Sequence, residues 1–363
     1  MSAPSSVGRP VDWSVEAVDP EDEAAFAAWH AVYARAEEHD RGAAATTWTA
    51  PEMRETLRDA GGSRRVSGFV GRLGGEPVAF GLLEVPLRDN LESAQVLVVV
   101  LPERRRAGLG SALLARLEDE AAALGRTVLG SEVLWPWRLG PEGGQSDGEQ
   151  PGAGQPGGIA PGLAFAAARG YALELVEVQR RLRLPVPAGV LDDLAAHAAT
   201  RHEGYALRAW VGEVPEELVG GWAVLEASLE TEAPTGGLTR EPQTAEVARV
   251  REGEALMRRQ GRTPYRAVAL DVDGTVVAYT EVVTTAHEPT RAYQWGTLVD
   301  RAHRGHRLGV ALKVAAARLL GERAPGVESV ATWNAAENEW MIAVNEALGF
   351  RPVEYLGGVE KRR

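Results

Sequence analysis

The feature that most constrains this chain is an internal repeat. Residues 66–114 align with residues 265–313 at a constant offset of 199, without a gap. Gly74-Gly75 falls on Asp273-Gly274, Val78-Ala79-Phe80 on Val277-Ala278-Tyr279, Arg105 on Arg304, Leu109 on Leu308 and Gly110 on Gly309. A period this long exceeds any solenoid unit and reads as a duplicated domain. At about 150 residues per domain, the 363 residues make two domains, each large enough for its own core. Gly170-Tyr171 and Gly349-Phe350 form a second matching pair, 179 residues apart. The 20 residues by which the two offsets differ match 139–158, a stretch rich in Gly and Pro with almost no apolar content. It is expected to be a flexible insertion in the first copy. The expected domains are 1–186 and 204–363, joined at 187–203 by a helical linker that follows Pro185-Val186-Pro187.

Composition narrows the function. The net charge is −12, which argues against non-specific nucleic-acid binding, since that needs Lys and Arg on phosphates. There is no cysteine, so disulfides, thiolate metal sites and thiol nucleophiles are excluded together. The histidines show no metal-ligand spacing, and no metal is expected. The N-terminus is polar, and the apolar run Val96 to Leu101 is six residues where a membrane span needs about 20. The expectation is a soluble, cytoplasmic protein with no membrane or nucleic-acid partner, monomeric or homodimeric.

Each copy reads alike. Two helical stretches lead: 21–38 and 51–60, then 215–229 and 244–260. Apolar, β-branched runs flank Gly74-Gly75 and Asp273-Gly274, a hairpin signal. A third strand (95–101, 293–299) runs into a short Arg- and Gly-bearing loop. A helix follows with leucines at helical spacing, then a strand, a helix and a last strand.

The loop is the informative segment. Leu101-Pro102-Glu103-Arg104-Arg105-Arg106-Ala107-Gly108-Leu109-Gly110-Ser111 leaves an apolar strand and opens a helix. Glycine lets backbone approach a ligand, and the unpaired first amides of a helix favour an anion such as a pyrophosphate. No acid-tipped strand follows in a βαβ unit, which disfavours a dinucleotide fold.

Arg-x-x-Gly-x-Gly after a strand resembles the acyl-CoA pyrophosphate loop of the GNAT superfamily of N-acyltransferases. The order of elements is also similar, nearly the whole chain twice over, as in tandem GNAT proteins of the mycothiol synthase kind. The resemblance implies an α/β (α+β) fold of two tandem GNAT domains, each a mixed, mostly antiparallel sheet flanked by helices. It implies acetyl-CoA as acyl donor and a small-molecule primary amine as acceptor, joined by direct attack on the thioester. Arg105, Arg106, Ala107, Gly108, Leu109, Gly110 and Ser111 would hold the pyrophosphate in the first copy. Arg304, Gly305, His306, Arg307, Leu308, Gly309 and Val310 would do so in the second. There Arg307 replaces the first loop glycine, either adding charge or crowding the loop. Main-chain amides near Val98, Val99 and Val100, and near Leu298 and Val299, would polarise the thioester.

The family's leaving-group Tyr is missing. Ala166 and Asn345 stand four residues before the glycine of the two matching pairs. Asn345 is either a hydrogen-bond donor to the thiolate or a structural helix residue. Asn334 is expected on the pantetheine arm. Asn338 is placed beside the cofactor too, with helix capping as its plainer role. Glu281 is the candidate base on an inner strand, with a surface carboxylate as the plain alternative. These residues place chemistry in the second copy. Two other readings stay open: a non-catalytic acyl-CoA-binding scaffold, and an aminoacyl transferase using charged tRNA.

Overall fold

The structure, a computed structural model, describes residues 12–137 and 160–363. The insertion expected at 139–158 lies outside the described residues. The chain forms two compact units. One comprises Met1–Val133, Pro161–Leu173 and Gly358–Arg363; the other comprises Leu134–Ala160 and Glu174–Gly357.

The first unit contains β1 (Trp13–Ala17), α1 (Glu23–Arg41), α2 (Ala50–Arg58), β2 (Arg64–Leu73), β3 (Glu76–Pro86), β4 (Ser93–Val100), α3 (Leu109–Ala123), most of β5 (Val128–Pro136) and α4 (Pro161–Ala167). Its strands lie side by side as β1-β2-β3-β4-β5. The first four are antiparallel, and β5 runs parallel to β4. Local chemistry explains the boundaries. The Asp22 side chain accepts the amide of Ala25 to start α1, and Thr49 with Glu52 forms a capping box on α2. Gly74 and Gly75 take φ of +60° and +79°, the left-handed pair that a two-residue hairpin requires. Trp29 of α1 is fully buried, stacks on Phe80 at 4.3 Å and donates its indole N–H to the Phe69 carbonyl at 3.0 Å. On the other face, Leu113 of α3 lies so close to Gly81 that a Cβ there would stand 3.1 Å from it.

The second unit contains β6 (Ala172–Arg183) from Glu174 on, α5 (Ala188–Ala199), β7 (Ala206–Val211), α6 (Glu216–Glu232), α7 (Val247–Arg259), β8 (Arg262–Leu270), β9 (Val276–Thr285), β10 (Arg291–Val299), α8 (Leu308–Arg323), β11 (Ser329–Ala335), α9 (Glu339–Leu348) and the start of β12 (Arg351–Arg362). Its strand order is β6-β11-β10-β9-β8-β7. Strand β10 is parallel to β11, and the other pairs are antiparallel. Helix α6 covers one face through Trp222, which packs on Tyr279; α8 covers the other through Leu308 and Leu312. The linker helix α5 is part of this core, since Leu191 clusters with Val314 and Leu320.

Two features differ from the sequence reading. Each copy opens with an edge strand, β1 or β7, where only helices were expected. These strands are five and six residues long; β7 is mostly exposed and β1 fully buries only Trp13, so they carry little apolar pattern. The closing strands also do not stay with their own copies. From Glu174 on, β6 pairs with β11 in the second unit, while Gly358–Arg363 at the end of β12 belongs to the first.

Candidate active site

In each unit the sheet opens into a wedge. Strand β4 pairs with β5 only from Ser93↔Val128 to Gln95↔Gly130. Strand β10 pairs with β11 only from Arg291↔Ser329 to Gln294↔Thr332. Beyond those points β4 stays paired to β3, and β10 to β9, on one side alone. A bulge at Trp295-Gly296 marks the parting in β10. Val98, Val99, Val100, Leu298 and Val299 all lie on these one-sided stretches, where backbone groups facing the wedge have no strand partner.

The loop above each wedge has the same backbone. In the first, Arg106 and Gly108 have φ of +64° and +82°; in the second, Gly305 and Arg307 have φ of +85° and +58°. The 199-residue offset superposes Arg106 on Gly305 and Gly108 on Arg307. Each loop thus needs two left-handed residues and supplies glycine at one of them, at swapped positions. Gly108 and Arg307 are the N-caps of α3 and α8. The first-turn amides of Leu109, Gly110 and Ser111, and of Leu308, Gly309 and Val310, have no acceptor within their helices. This is a cradle for an anion, and it fits the pyrophosphate of an acyl-CoA.

The loop side chains are largely committed elsewhere. Arg105 Nε donates to the Val100 carbonyl at 2.9 Å, and its two Nη atoms grip Asp40 at 2.9 and 2.7 Å. Arg304 repeats this, with Nε to the Val299 carbonyl at 3.2 Å and Nη2 to Glu232 at 2.7 Å. Both therefore brace the loop against the end of the preceding strand. Arg307 reaches back to α5: Nη1 donates to the His197 carbonyl and Thr200 Oγ1 at its C-terminus. His306 Nδ1 lies 3.0 Å from the Arg201 carbonyl, and Ser111 Oγ accepts from Arg169. The exposed Arg106 and Ala107 lie at the first loop's surface.

Glu281 is buried on β9, and its Oε2 accepts from Arg266 Nε at 2.5 Å. Arg266 Nη1 also reaches Glu254 Oε1 of α7 at 2.5 Å, and the guanidinium lies over the Trp222 ring. Burial raises the Glu281 carboxyl despite that pairing. Helix α6 packs on β9 and adds Glu226 to this group. Burial, and then the charge of Glu281, push the half-buried Glu226 up to about 7. The other charges acting on it are Arg266 of β8 and Glu254 and Arg249 of α7. Tyr279, which senses both Glu226 and Glu281, sets its hydroxyl against Gly296 at the bulge. Glu226 escaped the sequence reading because it sits in no motif; its helix position alone says nothing of the carboxylates it meets. The first copy has Ser67 and Leu82 where the second has Arg266 and Glu281.

The asparagines form a buried network. Lys313 Nζ donates to Asn345 Oδ1 at 3.0 Å, and Asn345 Nδ2 donates to Asn334 Oδ1 at 3.2 Å. Asn334 Oδ1 also accepts from Arg180, and its Nδ2 donates to the Ala335 carbonyl. Asn345 is fully buried, and burial brings Lys313 down to about 7. Asn338 caps α9, with Oδ1 accepting the Met341 amide at 3.1 Å. These amide groups therefore have protein partners. Among the described residues no cluster of three His, Asp or Glu could hold a metal, and no helix is long and apolar enough to cross a membrane.

The sequence profile of the acetyltransferase (GNAT) family matches residues 23–133 and 227–350, more than half of the chain. Among solved structures, a tandem GNAT protein from the clavulanic acid biosynthesis pathway is 28% identical with a TM-score of 0.73, over 96% of this chain and 98% of that one. A GCN5-related N-acetyltransferase from Sphaerobacter thermophilus is 18% identical with a TM-score of 0.59, over 97% and 96%. A putative acetyltransferase from Pyrococcus horikoshii is 12% identical with a TM-score of 0.56, over 100% and 94%. The last two share the fold. No curated protein matches the sequence.

Proposed function

The chain belongs to the acetyltransferase (GNAT) family, and from that premise we propose that it moves an acetyl group from acetyl-CoA to a primary amine of a small molecule. The second unit is the reactive one in this reading. The observation that carries it is the conjunction on one unit of an open wedge, an anion cradle and a half-buried carboxyl, Glu226, that burial and the charge of Glu281 push up to about 7. The kinship with a protein of the clavulanic acid pathway supports a small-molecule acceptor.

The proposed steps use the chain's own groups. The loop amides of Leu308, Gly309 and Val310 hold the pyrophosphate. Free amides of β10 near Leu298 and Val299 hydrogen-bond the thioester oxygen, and such donors contribute a few kcal/mol as charge develops there. The amine nitrogen attacks the carbonyl carbon, the C–S bond breaks, and the nitrogen's proton passes to Glu226 directly or through a water. Glu281, fixed by Arg266, raises the affinity of Glu226 for that proton. Coenzyme A leaves as a thiolate, which needs no acid when a thiol pKa lies near 8.5.

The test is single-turnover acetylation with a matched pair of variants. A Cβ on Gly110 would stand 3.5 Å from Val100 Cγ2, and one on Gly309 would stand 3.9 Å from Val299 Cγ2. Tryptophan at either position fills its own wedge mouth. Gly309→Trp is expected to abolish transfer and Gly110→Trp to spare it. The reverse result would move the chemistry to the first unit. Tight acetyl-CoA binding with no transfer to any amine would favour the non-catalytic scaffold.

A further inference from the structure

The second unit buries polar atoms that have no hydrogen-bond partner among the described residues. Gln179 of β6 is 0% exposed, and among the described residues neither Oε1 nor Nε2 has a hydrogen-bond partner. Its strand register pairs it with Trp333 of β11, whose indole Nε1 is buried and also without a partner. Leaving such groups unmade costs free energy, and folded domains rarely do so without a reason.

The location supplies the reason. Trp333 is the first residue of β11 beyond its last pairing with β10, so it stands where the wedge opens. Its ring stacks on Tyr293 with an 11° interplanar angle, which places both on one face. Gln179 shares that face as the cross-strand partner of Trp333. Tyr293 pairs with Val283, and by alternation Val283 shares its face with Glu281. The three unpartnered atoms thus lie on the face that carries the carboxylate group, while the buried asparagine network uses the opposite one.

We propose that Gln179 and Trp333 form the acceptor subsite, and that it takes an amine bearing a carboxamide. The inference rests on the acetyltransferase reading. The match is one of donors and acceptors. Gln179 Nε2 and Trp333 Nε1 each need an acceptor, and Gln179 Oε1 needs a donor. A carboxamide carbonyl accepts twice and its N–H donates once, which satisfies all three. A primary or ring amide, whose N–H and C=O point the same way, pairs with the Gln179 amide edge to edge. A carboxylate would set a negative oxygen against Oε1, and a hydrocarbon chain would leave every atom unmet. Arg181, on the same face, is held below its ordinary range by burial and then by the charge of Arg291, against the weaker pull of Glu354, Tyr293 and Glu288. The stacked Tyr293 and Trp333 rings offer a flat wall for the planar amide.

Two experiments separate this subsite from the reading beneath it. The first uses β-alaninamide, β-alanine and butylamine as acceptors with saturating acetyl-CoA. Three buried hydrogen bonds should raise kcat/KM for the amide over butylamine by about tenfold to a thousandfold. Gln179→Met should collapse that ratio toward one, and Trp333→Phe, which keeps the ring and removes the N–H, should lower it several-fold. The second uses propionamide, which has no amine and needs no turnover. It should shift the NMR signals of the Trp333 indole N–H and the Gln179 amide, while propionate does not. Gln179→Met should also raise the Tm of the ligand-free protein, by removing an unpaired buried amide. Equal kcat/KM for the three amines, an unchanged ratio in Gln179→Met, or no shift with propionamide would overturn the subsite. Propionamide shifts without acetylation of any amine would keep the subsite and refute the acetyltransferase reading.

Discussion

Glu226→Gln tests the proton-transfer step most directly. A carboxyl with a pKa of about 7 is ionised to about 9% at pH 6 and about 91% at pH 8, a tenfold rise in active base. An ordinary glutamate would be almost fully ionised across that window and leave the rate flat. The wild-type rate of acetyl transfer should therefore rise about tenfold from pH 6 to 8, on top of the acceptor's own titration. Glu226→Gln should lose about 10² to 10⁴ in kcat and retain only the acceptor's titration, so the difference between the two profiles isolates the carboxylate. Glu281→Gln removes a charge that raises Glu226, and should move the inflection toward the ordinary carboxyl range. Stability provides an independent check. The folded pKa lies above the unfolded one, so the contribution of Glu226 is fully present below about pH 4.5 and is lost as pH rises through 7. Glu226→Gln should match wild type at pH 4 and exceed it at pH 8 by about 1–3 kcal/mol, discounted because the group is half-buried. Denaturant unfolding at both pH values reads this. A variant that keeps its rate within threefold, or a wild-type profile without the extra inflection, would refute the assignment.

Other outcomes follow from the packing. Lys313 has its folded pKa depressed to about 7, so wild-type stability should rise between pH 7 and 10 relative to Lys313→Met, by at most about 4 kcal/mol, in denaturant melts. Removing residues 358–363 strips Lys361 and Arg363 from the buried Glu118, leaving it only the Tyr171 hydroxyl; amide exchange in α3 and β5 should accelerate although the cut lies at the far end of the chain. Trp29→Ala should cost about 3–5 kcal/mol in a thermal or denaturant melt, because the ring fills the core against Phe80. Gly108→Ala forces a Cβ onto a φ of +82° and should weaken acetyl-CoA binding in the first unit alone, which calorimetric stoichiometry reports.

What the sequence determined alone is everything written in local backbone chemistry. The repeat, the hairpin glycines, the glycine-bearing loop that opens a helix and the order of elements after each leading edge strand depend on neighbours a few residues away. They were legible at Gly74-Gly75, at Gly108 and at the leucines of α3. Even the second loop's departure was partly readable, since Gly305 supplies the glycine that Arg307 does not. Tertiary structure decided the rest. Arg307 finds partners at His197 and Thr200, more than 100 residues away, so no spacing could reveal them. Strand alternation put Glu281 inside, but its pairing with Arg266 depends on the register of β8 against β9. Glu226 is special only because α6 lays it beside that pair, and desolvation is a property of packing. The fate of β6 was hidden for the same reason. A strand's pattern tells which face is apolar, and which neighbour it joins is settled by the edge that folding leaves open.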